Sequence, residues 1–156
     1  MLMNFLLYAK FEERRRWLIL ISYAALLLVA SILPDTRQTG DPFQNLLTFI
    51  SPTLQNALHI PAYGLLAWLI CEAANRRGSS PNLSMIAGMA TAMSYGMLME
   101  VIQIWVPGRY PSAMDIAFNA LGAGIGSWIW KKSARHRSLP RVITTPSIPH
   151  SRQPPP

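Results

Sequence analysis

Eight residues between positions 59 and 119 have side chains that could do chemistry together: His59, Tyr63, Glu100, Gln103, Arg109, Ser112, Asp115 and Asn119. Glu100 or His59 could serve as a general base, a role that partial burial tunes. Arg109 could grip a phosphate or carboxylate through paired N–H groups. Tyr63, Gln103, Ser112, Asp115 and Asn119 would complete a binding set, with Asp115 orienting Arg109 or His59. A purely structural reading stands beside this one. In it, Arg109 neutralises Glu100 and Asp115, while Gln103 and Asn119 bond between helices. Tyr63 would be an interface anchor and His59 would satisfy a backbone carbonyl; that of Ala57 is open to it, because Pro61 has no N–H to donate there. His59, Glu100 and Asp115 lack the local spacing of helical metal ligands, so no metal is expected. No Gly-rich phosphate loop follows a strand and no Ser or Cys nucleophile motif is visible, so no cofactor is expected either.

Positioning these residues falls to three helices and a turn. Ser84, Gly88, Ala92 and Gly96 recur every four positions, and the next step of the stripe is Glu100, with Gln103 three further on. Both should therefore project from a closely packed helix face. Asp115, Asn119, Gly122 and Gly126, spaced four, three and four, mark a second face, and His59 and Tyr63 lie one turn apart on a third helix. Met85, Met89, Met93 and Met97 run one position behind the small-residue stripe and read as adaptable packing or lipid-facing side chains.

The helices themselves read as apolar blocks. Of 156 residues 51% are hydrophobic and 13% charged, too apolar for an ordinary soluble surface. The blocks are Trp17 to Leu33, Leu54 to Ala74, Leu83 to Val106 and Ala113 to Trp130, each long enough to be weighed as a crossing of a hydrocarbon core about 30 Å thick. The expected fold is all-α: a polytopic membrane protein with a four-transmembrane-helix bundle over residues 1–133. A cleaved signal peptide is the competing reading of the first block, because Arg14 to Arg16 precede it. Twelve of the fourteen Lys and Arg lie before block one, between blocks two and three, or after block four; Arg37 and Arg109 lie in the other connections. The positive-inside rule then puts both termini in the cytoplasm and the eight-residue set near the outer side. Phe43 to Ile50 could form a short interfacial helix in the first outer loop, and residues 134–156, basic and then Pro-rich, read as a disordered tail. Cys71 is the single cysteine and reads as inert packing. The net charge of +7 is explained by the membrane asymmetry and carries no nucleic-acid signature.

The order His59, Tyr63, Glu100, Gln103, Pro107, Gly108, Arg109, Ser112, Asp115, Asn119, Gly122 and Gly126 resembles the signature of the VanZ-like family, most specifically in EVIQIWVPGRYPSAMDIAFNALGAGIG. The resemblance spans about residues 17 to 130. It departs before the histidine, where family members often carry an acidic and a basic residue and this chain has Gln55 and Asn56. The resemblance implies a multi-pass protein of the bacterial cytoplasmic (inner) membrane with a cell-envelope role linked to glycopeptide (teicoplanin) susceptibility. Joined to an outward polar pocket framed by apolar helices, it leads to two expectations. One is binding or modification of a membrane lipid or lipid-linked glycan. The other is a noncatalytic scaffold or accessory subunit, with partner membrane proteins or a homo-oligomer as its company.

Overall fold

The structure, a computed structural model, describes residues 2–33 and 56–138. The short helix expected over 43–50 and the end of the tail fall outside these residues.

Helix α1 runs Leu2–Ile32, 31 residues, and starts well before the expected Trp17. The basic triad does not end it, because Glu12 lies one turn away and pairs with Arg15 at 2.8 Å and Arg16 at 3.7 Å. Helix α2, His59–Arg76, ends where Gly78 takes φ 91°; the N–H of Gly78 reaches the Asn75 carbonyl at 3.1 Å, closing a turn that an L side chain would strain. Helix α3, Pro81–Gln103, opens with Ser80, whose hydroxyl accepts the Leu83 N–H at 3.3 Å, and with proline in its first position. It stops short of the expected Val106, since the residues before Pro107 leave helical geometry and Gly108 turns the chain at φ 76°. Helix α4, Ala113–Ser138, continues past the expected Trp130. Residues 134–138, expected to be disordered, are a correction to the sequence reading: they are helical, with Arg135, His136 and Arg137 complementing the carbonyl end of the helix.

Among the described residues there are these four helices and no strand. The stretches Lys10–Ile32 and Pro81–Gln103 are long and apolar enough to cross a membrane. Helices α2, α3 and α4 pack against one another as a tight trio, while α1 lies against α2 and α3 over smaller patches. The trio closes on small residues. The backbone of Gly88 faces Ala67 and Cys71 of α2, and Gly64 faces Gly122 and Gly126 of α4, so helix backbones approach without intervening side chains. Tyr23 donates its hydroxyl to the Ala62 carbonyl at 3.0 Å and Tyr95 donates to the Ala24 carbonyl at 2.6 Å, fastening α1 to α2 and α3.

Helices consecutive in the chain alternate in direction, so α2 and α4 run parallel. At one end, rich in Lys and Arg, the Arg77 guanidinium lies 4.5 Å over the Trp17 ring and Glu72 meets Trp130 and Arg137. At the other end, Arg109 reaches the last residues of α1 and His59 reaches α4. Large apolar side chains line the outside of all four helices, whereas Ser84, Glu100, Gln103, Asn119 and Ser127 are buried between them.

Candidate functional site

The polar residues meet at the end of the bundle opposite the basic one, and helix ends position most of them. Glu100 closes the small-residue stripe of α3 and is 2% exposed. Its Oε2 accepts the backbone N–H of Ser112 at 3.0 Å, which places the carboxylate at the first turn of α4, where free N–H groups and the helix dipole favour an anion. Ser112 closes that turn from the other side, its hydroxyl accepting the Asp115 N–H at 3.4 Å. The short 107–112 connection thus holds α3 and α4 as a hairpin through a side-chain to backbone bond.

His59 stands at the first turn of α2. Its Nδ1 donates to Oδ1 of Asn119 on α4 at 2.8 Å, which leaves Nε2 as the nitrogen able to accept a proton. The imidazole is stacked nearly parallel to the Tyr63 ring, 7° between planes with centroids 6.0 Å apart, so one turn of α2 presents both rings on one face. Asn119, 2% exposed, is seated by a glycine: a Cβ at Gly96 would come within 2.8 Å of its Nδ2. The α3 stripe therefore does more than bring backbones together; it makes the space that the asparagine fills.

Three buried polar atoms of this cluster have no hydrogen-bond partner among the described residues: Glu100 Oε1, Asp115 Oδ1 and Asn119 Nδ2. Each belongs to a residue the sequence singled out, and they come from facing elements of one hairpin. His59, Arg109 and Asp115 all lie within electrostatic reach of Glu100, and Tyr63 lies within reach of both carboxylates. Gln103 is 6% exposed, buried one turn beyond Glu100, with no bond joining it to the rest of the cluster among the described residues.

Arg109 differs from the structural reading of the sequence. It makes no ion pair with Glu100 or Asp115 among the described residues; its Nε donates instead to the Leu33 carbonyl at the end of α1, at 3.2 Å. The arginine follows directly on Gly108, whose φ of 76° shapes the turn between α3 and α4. No group of three or more His, Cys, Asp or Glu side chains placed to hold a metal ion occurs among the described residues.

A second polar group was not anticipated. At the basic end, Glu72 Oε2 accepts Nε1–H of Trp130 at 2.9 Å and an Arg137 N–H at 3.3 Å, while Oε1 accepts Arg76 Nε–H at 2.9 Å. The signal lay in a carboxylate near the end of one apolar block and a tryptophan at the end of another, but 58 positions separate them. Next to it Cys71 is buried and unpaired by disulfide, with Sγ 3.6 Å from the Ser127 hydroxyl.

No curated protein and no solved structure matches the chain. A family model described as VanZ/LLP1 matches residues 1–135, a span that holds all four helices up to the last turn of α4 and every residue of the polar cluster. The chain belongs to the VanZ/LLP1 family.

Proposed function

We propose that this family member is a four-span membrane protein whose polar cluster faces the extracytoplasmic side and holds the head group of a membrane lipid or lipid-linked envelope precursor. Three orphaned atoms, Glu100 Oε1, Asp115 Oδ1 and Asn119 Nδ2, carry the reading. A cluster that served only to fasten helices should close its own bonds, because each buried polar atom left unpaired costs about 1–3 kcal/mol. Two acceptors and one donor left open together call for a ligand with hydroxyls and an anionic group, with the Arg109 guanidinium at the rim.

The apolar half of such a ligand also has a place. A cleft of about 280 Å³ between α2 and α4 is lined by Ile60, Pro61, Gly64, Leu65, Trp68 and Gly122 among others, and its first residue directly follows His59. One alkyl chain could lie there with its head at the cluster. The four spans are supported by the large apolar side chains exposed on all four helices and by polar side chains such as Glu100, Gln103 and Asn119 buried between them. The positive-inside rule assigns the basic end to the cytoplasm of an inner membrane. If the bound lipid is modified, His59 Nε2 or Glu100 is the base and Tyr63, Gln103, Arg109, Ser112, Asp115 and Asn119 form the binding set. An effect on teicoplanin susceptibility would follow from an altered envelope lipid.

A scaffold role is favoured by the His59 to Asn119 and Glu100 to Ser112 bonds, which join helices without any ligand. The two readings separate on the same variants. Glu100→Gln and Arg109→Ala should insert and melt in detergent within a few degrees of the parent, yet lose glycopeptide tolerance or alter the lipid profile of the host membrane. Unchanged tolerance and lipid profile in both would reject the ligand reading, and reduced expression and melting temperature would favour the scaffold.

A further inference from the structure

The basic end of the bundle contains a second cleft, of about 420 Å³, between α1 and α2, lined by Tyr8, Glu12, Arg16, Trp17, Arg76 and Arg77 among others. We propose that it binds the phosphate of an anionic phospholipid from the leaflet at that end, bridging α1 to α2. The inference is independent of the ligand at the opposite end; it uses only the membrane placement of the helices.

Three observations carry it. First, guanidinium capacity is left over. Arg76 commits its Nε to Glu72, and Arg77 has the Trp17 ring beneath it and no carboxylate within ion-pair distance among the described residues. A guanidinium stacked on an indole keeps its in-plane N–H groups directed outward, the geometry that grips a phosphate with two parallel bonds. Second, cations outnumber anions at this end. Among the described residues, Lys10, Arg14, Arg15, Arg16, Arg76, Arg77, Lys131, Lys132 and Arg137 stand at this end against Glu12, Glu13 and Glu72. Glu12 is already engaged by Arg15 and Arg16, and Glu72 by Arg76, Arg137 and Trp130. Glu13 also lines the cleft but is outnumbered there by Arg16, Arg76 and Arg77, and the surplus positive charge suits an anionic head group at a membrane surface. Third, α1 needs a fastener there. It lies on the trio over small patches, and its two inter-helix hydroxyl bonds, from Tyr23 and to Ala24, lie nearer the opposite end than the cleft does. A phosphate held between Arg16 of α1 and Arg76 and Arg77 of α2 joins the helices where little else does, with Trp17 and Tyr8 at the depth where amphipathic rings settle.

The test uses the full chain in nanodiscs of phosphatidylcholine alone or with phosphatidylglycerol, read by melting temperature and by lipid adducts retained in native mass spectrometry. Phosphatidylglycerol should raise the melting temperature and leave a retained adduct. In Arg16→Gln/Arg77→Gln, which spares the Arg76 to Glu72 pair, phosphatidylglycerol affinity should weaken about tenfold or more and the melting shift should vanish. A charge-matched control, Lys131→Gln/Lys132→Gln, removes two cations from the same end outside the cleft and should keep both. Equal losses in the two double variants would mean diffuse attraction and overturn the site. A melting shift of the same size from inorganic phosphate in phosphatidylcholine discs would overturn the lipid assignment.

Discussion

At the residue scale the account turns on the seat of one asparagine. Asn119 spends its oxygen on His59, and the space it occupies exists because position 96 carries no Cβ. An added methyl would approach its Nδ2, Cβ and Cγ to 2.8, 2.9 and 3.0 Å, closer than side chains tolerate, so the amide must move and release the imidazole. Gly96→Ala should therefore destabilise the protein by about 1–3 kcal/mol, in the range of overpacked cores. Asn119→Ala should break the same bond by a different route. Because the two residues share one contact, the double variant should cost less than the sum of the singles, a coupling that melting curves in detergent can measure. Additive costs would mean that Gly96 and Asn119 act independently. Part of this was legible in the sequence: the period of four that contains Gly96 also points to Glu100, and the 115, 119, 122, 126 spacing put Asn119 on a packed face. The bond to His59 was not legible, since it joins residues 60 positions apart and depends on how two helices are rotated.

At the element scale, stability rests on backbone approach between α2 and α4. Lipid is as apolar as the side chains it would replace, so helices gain little by hiding apolar surface and hold together through close packing and inter-helix hydrogen bonds. Glycines 124 and 126 offer a matched comparison. A Cβ on Gly126 would lie 2.6 Å from the carbonyl carbon of Gly64, whereas one on Gly124 would meet nothing within 4 Å. Gly126→Ala should force the helices apart and lower the melting temperature by several degrees. Gly124→Ala should leave it unchanged or raise it slightly, because alanine favours the helix. Equal behaviour of the two variants, followed by circular dichroism, would contradict the packing. Helix ends were less legible than helix existence. The basic triad in α1 and the basic run in α4 look like boundaries by charge, yet both helices pass through them, supported by Glu12 in one and by the Trp130 to Glu72 anchor at the start of the other. The bond from Arg109 to Leu33 joins residues 76 positions apart, which no periodicity reports.

At the scale of the whole molecule, family membership and two helices of membrane-crossing length and composition mark a membrane protein. Its two ends differ in kind. One gathers cations around a satisfied carboxylate, Glu72, and the other gathers carboxylates and amides whose bonds are incomplete. Large apolar side chains exposed along the helices, with Glu100, Gln103 and Asn119 turned inward, suit a chain dissolved in lipid. In the proposed membrane placement, the net charge of +7 reads as an orientation signal. The central claim is that the incomplete bonds at the opposite end are completed by a bound amphiphile. The most direct measurement is a structure of the protein crystallised from a lipid mesophase supplemented with host membrane lipid. The account predicts ordered density for a head group within hydrogen-bond distance of Glu100, Asp115 and Asn119, continuing as one chain along Ile60, Gly64 and Gly122. Those same atoms bonded only to water or to the protein's own side chains, with the α2 and α4 cleft holding no ordered chain, would contradict it.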